Sequence, residues 1–161
     1  MVSVKLVHLS VICISLVYPK VSTFVTVMET FNQNIFPKGE KAPSEYFSGG
    51  TAWVQILKPN EDELNCQIGN VIFEPKCRNN WHSHGGGQIL VVTSGTGFYQ
   101  EKGKPAQILN PGDVVNILPN IVHWHGASPE SEFTHIAINP NTQNGIVNWL
   151  EPVTDEEYNN L

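Results

Sequence analysis

Two pairs of histidines have the spacing of metal ligands. His82 and His84 are two residues apart, and His123 and His125 repeat that spacing further along the chain. Side chains two residues apart on a strand point the same way, so each pair presents two imidazoles in one direction. Imidazole nitrogen binds first-row divalent metal ions, and the side chain of Gln88 can add a neutral oxygen ligand. These five residues predict a metal site if the fold brings the two pairs together.

The segments that carry these histidines have the composition of strands. Residues 89–92 form an apolar, β-branched run after a Gly-Gly-Gly turn, which favours a buried strand. Similar short runs recur along the chain, separated by residues that favour turns. This pattern is typical of an antiparallel sandwich or barrel. The other predicted strands are residues 51–57, 67–73, 97–101, 106–109, 114–118, 121–127, 133–139 and 146–150.

The first 27 residues differ from the rest of the chain. Lys5 precedes an apolar run over residues 6–17, a pattern that is typical of a secretory signal peptide. No small-residue cleavage site follows, and the run is too short for a comfortable membrane span. Alternatively, translation begins at Met28 and residues 1–27 are a spurious upstream extension, which is the interpretation we favour. It implies a cytoplasmic protein, whereas a true signal peptide would imply export.

The remaining residues, 28–161, predict a single domain with a core over about residues 45–158. A polar segment over residues 31–44 predicts an arm lying on the barrel. At the other end, Thr154 and Glu157 fit a capping box that opens a short C-terminal helix.

Charge and cysteine content exclude several classes of function. The 161-residue chain has a net charge of −6, which argues against binding to nucleic acid or to an anionic membrane surface. Its three cysteines are too few and too scattered for a disulfide framework or a zinc knuckle. We expect Cys66 and Cys77 to be free, buried or half-buried thiols. A small molecule is therefore the expected partner.

The spacing of the histidines resembles the two sequence motifs of the cupin superfamily. The pattern His82-x-His84-x3-Gln88-x6-Gly95 is similar to the first motif, with Gln where Glu is usual. Gly112-Asp113, Pro119 and His123 resemble the second motif. The chain looks most like small single-domain cupins that include manganese-dependent hydroxynitrile lyases. That resemblance also covers residues 111–115, 123–126, 134–138 and 154–158.

The resemblance implies an all-β fold, a double-stranded β-helix or jelly-roll barrel with an N-terminal arm and a short C-terminal helix. It also implies that His82, His84, Gln88 and His123 bind a divalent metal ion. Manganese is the metal that the resemblance favours, although imidazole and amide ligands also suit Fe, Zn, Ni or Co. Because Gln replaces Glu, such a site would add no negative charge to the ion. Cupins of this size are often homodimers, which we expect here.

His125 and His135 remain outside the implied ligand set. Imidazole titrates near neutrality, so both are candidates for catalytic proton transfer; support of the ligands is the alternative role. The resemblance implies a lyase that acts on a small hydroxylated or carbonyl substrate. A metal-dependent dioxygenase of the quercetinase type and a non-catalytic cupin that binds a small molecule are the alternatives, because one barrel serves many chemistries.

The chain departs from the cupin motifs at two turns. Lys76 and Asn120 stand where the motifs usually have glycine. Asparagine tolerates left-handed conformations, so Asn120 can substitute for glycine locally. The two changes therefore bear on the geometry of these turns and do not affect the predicted metal ligands.

Overall fold

A computed structural model describes residues 35–61 and 63–161. Residues 1–27 and the alternative start at Met28 lie outside the described residues, so the domain boundary stays a prediction. The described part is almost entirely β. Its strands are β1 (Glu40–Lys41), β2 (Phe47–Ser48), β3 (Ala52–Lys58), β4 (Gln67–Phe73), β5 (Arg78–Asn79), β6 (His82–Ser83), β7 (Gln88–Gly95), β8 (Gly97–Glu101), β9 (Gln107–Leu109), β10 (Val114–Ile117), β11 (His123–Ala127), β12 (Phe133–Asn139) and β13 (Asn148–Trp149).

The strands form two antiparallel sheets that curl around a shared interior. One sheet has the order β1-β3-β4-β12-β7-β10. The other has the order β13-β6-β11-β5-β2, and β8 joins it by pairing with β11 and β9. In the second sheet His123 lies directly opposite His82. The predicted double-stranded β-helix is confirmed, and it brings the two histidine pairs together.

Most predicted strands have nearly the predicted bounds, and three match them: 67–73, 97–101 and 133–139. The last predicted strand, 146–150, is wrong in its extent, because only Asn148 and Trp149 pair with β6. In the predicted arm, Glu40 and Lys41 pair with β3 and so extend the first sheet by one strand.

Two hydrophobic clusters lie on opposite sides of β11. One fills the barrel interior and includes Phe73, Leu90 and Phe133. The other joins Trp81 and Trp124 to Val153 and Tyr158 of the C-terminal segment. Each tryptophan is adjacent in sequence to a histidine, so strand alternation turns it away from the histidines and into this second cluster.

The C-terminal helix, α1 (Asp155–Asn159), begins with the predicted capping box between Thr154 and Glu157. Buried Arg78 fixes the start of this segment by donating two hydrogen bonds to the carbonyl of Val153, at 3.2 and 3.0 Å. The hydroxyl of Tyr158 donates to the carbonyl of Ala127 at 2.7 Å. Among the described residues, no helix is long and apolar enough to span a membrane.

The turns at the two departures from the cupin motifs keep the left-handed conformation. Lys76 has φ of 70° and Asn120 has φ of 63°. Both residues adopt this conformation without being glycine, and Lys76 bears the larger conformational cost. Cys66 and Cys77 are free thiols, as predicted. The carboxylate of Asp113 caps its turn by accepting a hydrogen bond from the backbone N–H of Asn110 at 2.8 Å.

Candidate metal centre

A cavity of about 160 Å³ opens into the barrel between the two sheets. One part of its wall is apolar and aromatic, and the other carries imidazoles and amides. Among the described residues, none that lines the cavity is Asp, Glu, Lys or Arg. The lining residues are Phe47, Val54, Ile56, Gln67, Gly69, Val71, Phe73, Asn79, His82, His84, Gln88, His125, His135, Ala137, Asn139, Ile146, Val147 and Trp149.

Four histidines line this cavity, and His123 packs directly against one of them, His82. The rings of His82 and His123 have centroids 4.2 Å apart, and His84 lies 5.0 Å from His82 and 5.5 Å from His123. His125 lies 5.4 Å from His82 and 4.8 Å from His135. All five are buried.

The rings of three of these histidines are oriented by the same kind of hydrogen bond, from Nδ1 to a backbone carbonyl. Nδ1 of His82 faces the carbonyl of Asn80 at 2.9 Å, and Nδ1 of His123 faces the carbonyl of Ile121 at 2.9 Å. Nδ1 of His84 makes the same contact with the carbonyl of Ile146. A carbonyl can only accept, so each bond places the proton on Nδ1 and leaves Nε2 with a free lone pair. This is the arrangement that metal-binding histidines usually have.

Gln88 lies next to these free nitrogens. Its Oε1 is 3.4 Å from Nε2 of His123, and its side chain also touches His84. Its Nε2 points the other way and donates to Oδ1 of Asn139 at 2.9 Å. The amide oxygen is thus turned towards the imidazoles.

His125 is held differently. Its backbone N–H donates to Oδ1 of Asn79 at 2.9 Å, so the amide nitrogen of Asn79 faces the ring, 3.1 Å from Nε2. The same nitrogen lies 3.4 Å from Nδ1, and because amide nitrogen can only donate, it occupies the lone pair of the unprotonated ring nitrogen of His125. The ring of His135 is not held by such a contact. Neither of its nitrogens has a hydrogen-bond partner among the described side chains and backbone.

Burial keeps the histidines neutral. It lowers the pKa of His123 to about 4 and that of His135 to about 4. It also lowers the pKa of His82 and of His125 well below the usual value, with further lowering from neighbouring histidines. The pKa of His84 is lowered by burial as well, against the hydrogen bond that the carbonyl of Ile146 accepts from its ring. Neutral imidazole is the form that binds metal.

The donors present fit a divalent metal ion. The ligand nitrogens of His82, His123 and His125 lie within 4.8 Å of one another, close enough to hold one ion. Nε2 of His84 is buried without a partner, which is costly unless a ligand satisfies it. The predicted set of His82, His84, Gln88 and His123 shares two histidines with that group. Which residues are ligands stays a prediction.

The sequence analysis did not identify three further cavity residues. Asn139 follows His135 by four residues on β12, so period-two alternation alone would have placed it on the same face. Asn79 and Trp149 lie on two-residue strands, β5 and β13, whose pairing no local pattern indicates. Trp149 packs against the ring of His82, with centroids 4.9 Å apart.

Comparison with known proteins gives concordant matches. The Cupin domain family model matches residues 69–138. An (R)-mandelonitrile lyase from Granulicella tundricola is 41% identical over 118 residues, which are 73% of this chain and 89% of that protein. The crystal structure of a cupin-like protein from Thermotoga maritima is 52% identical with a TM-score of 0.77, over 80% of this chain and 96% of that chain.

A more distant structure shares the fold. An uncharacterized conserved protein with a double-stranded β-helix domain from Klebsiella pneumoniae matches with a TM-score of 0.55 at 20% identity, over 74% of this chain and 98% of its own. The close relatives and the family model cover the strands that carry the histidine cluster. The chain belongs to the cupin family.

Proposed function

We propose that this cupin is a metal-dependent lyase of the hydroxynitrile lyase type, which cleaves and forms small cyanohydrins or related hydroxylated and carbonyl compounds. The observation that carries the proposal is the cavity itself: four buried histidines in its wall, a fifth packed against them, and no charged side chain among the described lining residues. The 41% identity to an (R)-mandelonitrile lyase supports the reaction class.

In this proposal the metal ligands are His82, His84, Gln88 and His123. The three histidines of this set have Nε2 free because a backbone carbonyl holds Nδ1. His125 belongs outside the set because Asn79 already donates to its ring. Manganese is the proposed metal, with Fe, Zn, Ni and Co as the other ions that such donors suit.

A divalent ion at this position would act as a Lewis acid on a substrate oxygen. The ligands add no formal charge, so nothing in the wall would weaken its attraction for that oxygen.

Cleavage of a cyanohydrin needs two proton movements. The hydroxyl loses a proton, the bond between the carbinol carbon and the cyano carbon breaks, and cyanide takes up a proton. One imidazole can take the first proton on a ring nitrogen and return it to cyanide. His135 is suited to this because neither of its ring nitrogens is hydrogen-bonded to a described side chain. His125, with a ring centroid 4.8 Å away, is the second candidate for the transfer.

The rest of the wall suits an uncharged substrate with an apolar substituent. Val54, Val71, Phe73 and Ala137 give the cavity wall an apolar surface. Burying a carboxylate or an ammonium group against such a surface would be costly, because no opposite charge is present to pair with it.

The test is an assay of the Mn²⁺-loaded protein with mandelonitrile, following benzaldehyde release, with oxygen uptake measured in parallel. We expect benzaldehyde release without oxygen consumption. His135→Phe should lower kcat by 10²-fold or more, a typical contribution of general acid–base catalysis, while Mn²⁺ remains bound. Asn110→Ala, at an exposed turn, is the control. Oxygen-dependent turnover, or no turnover of any cyanohydrin by the loaded protein, would overturn the proposal.

A further inference from the structure

Three side-chain amides form a chain of hydrogen bonds that leads away from the cavity. Gln88 Nε2 donates to Asn139 Oδ1 at 2.9 Å, and Asn139 Nδ2 donates to Gln67 Oε1 at 3.4 Å. Asn139 lies opposite Gln67 where β12 pairs with β4, and Gln88 begins the strand on the other side of β12. The chain therefore crosses three adjacent strands of one sheet.

The chain has a fixed direction. An amide nitrogen can only donate and an amide oxygen can only accept, so the contact with Asn139 determines which way the Gln88 amide is turned. Its oxygen then faces Nε2 of His123 at 3.4 Å. Gln88 and Asn139 are both buried, at 5% and 8% exposure, so bulk water does not compete for either group.

We propose that Asn139 is a positioning residue for Gln88. It holds the Gln88 amide with its oxygen towards the histidines, and it thereby makes position 88 a preorganised neutral oxygen ligand. The inference rests on the metal site of the proposed function and concerns a residue outside the ligand set. Without Asn139, the Gln88 amide could turn its nitrogen towards the cation, which a nitrogen carrying two protons cannot bind.

The chemistry of the acceptor distinguishes this role from simple packing. Aspartate has the shape of asparagine and keeps an oxygen where Gln88 donates, so it preserves the function proposed for Asn139. Leucine has a similar volume but offers no acceptor. A residue needed only to fill space would tolerate leucine, whereas a residue that orients Gln88 would tolerate aspartate.

The experiment is calorimetric titration of the metal-free protein with MnCl₂ for wild type, Asn139→Asp, Asn139→Leu, Gln88→Leu and the double variant Gln88→Leu/Asn139→Leu. Asn139→Leu should bind Mn²⁺ about 10- to 100-fold more weakly, the usual effect of removing a group that orients a ligand. Asn139→Asp should bind at least as tightly as wild type, because it keeps the acceptor and adds a negative charge near the cation. In the Gln88→Leu background, Asn139→Leu should cause no further loss, because its effect acts through the missing amide.

Two results would overturn the inference while leaving the metal site in place. One is an equal loss from Asn139→Leu in both backgrounds, which would indicate a structural role. The other is a loss in Asn139→Asp as large as that in Asn139→Leu. Asn139→Asp is isosteric, so its Mn²⁺ affinity tests the inference even if the leucine variant does not fold. Wild type that does not bind Mn²⁺ would overturn both the site and the role of Asn139.

Discussion

At the scale of single residues, the chemistry of the cavity depends on where protons and amide groups are held. Backbone carbonyls fix Nδ1 of His82 and His123, each at 2.9 Å, and leave the opposite nitrogen free for a ligand. The residue types and their spacing were enough to predict that these histidines share a site. Asn79 and Asn139 were not predicted, because asparagine is common on surfaces and in turns and carries no signal of its own.

The left-handed turns give a residue-scale prediction. Lys76 has φ of 70°, where glycine has no steric cost. Lys76→Gly should therefore raise the free energy of unfolding by about 0.5–1 kcal/mol. This value is the backbone strain that glycine releases, reduced by the greater conformational entropy of glycine in the unfolded chain. Asn120→Gly is the matched control and should change it by less, because asparagine tolerates this conformation. Urea unfolding measures both, and a Lys76→Gly variant less stable than wild type would contradict this account.

At the scale of secondary-structure elements, the sequence predicted the long strands well and the short ones poorly. Strands β4, β7 and β12 carry β-branched runs that indicate a strand wherever they occur. By contrast, β5, β6 and β13 have two residues each, and they form because neighbouring strands pair with them. Two of these short strands supply Asn79 and Trp149, which explains why part of the cavity wall was not predicted.

The glycine turn between His84 and Gln88 is the element that sets the distance between two predicted ligands. A Cβ at Gly86 would lie 2.0 Å from the carbonyl oxygen of Pro140. Gly86→Ala must push this backbone apart, so we expect about 1–3 kcal/mol of destabilisation and weaker Mn²⁺ binding. Gly103→Ala is the control, because a Cβ there meets nothing within 4 Å and only its φ of 80° is strained.

Urea unfolding and calorimetric titration with Mn²⁺ test the role of this turn. Gly103→Ala should cost about 1 kcal/mol and leave Mn²⁺ affinity unchanged. If Gly86→Ala were as stable as Gly103→Ala and bound Mn²⁺ like wild type, the turn would not be fixing Gln88.

At the scale of the whole molecule, the barrel buries five neutral histidines close together, and this links stability to pH. Each has a folded-state pKa below that of the unfolded chain. The unfolded chain therefore binds more protons as the pH falls below about 6.5. The contribution to stability is fully present above that pH and is lost progressively as the pH falls towards 4.

The metal-free protein should accordingly lose stability steeply between pH 6.5 and 4, the value to which burial lowers the pKa of His135. Each histidine that stays neutral in the folded state contributes a slope of about 1.4 kcal/mol per pH unit. His135→Phe removes one such group and places an apolar ring beside Phe73 and Phe133. Urea unfolding across this range should show a slope shallower by about that amount. Parallel curves would contradict the neutral state of His135.

The most direct test of the account is the metal content of the protein purified without added metal, measured by elemental analysis for wild type, His84→Ala and His125→Ala. We predict about one divalent ion per chain in wild type, its loss in His84→Ala, and its retention in His125→Ala, because Asn79 already donates to the His125 ring. Retention in His84→Ala with loss in His125→Ala would contradict the predicted ligand set and favour His82, His123 and His125. Wild type without metal would contradict the site as a whole.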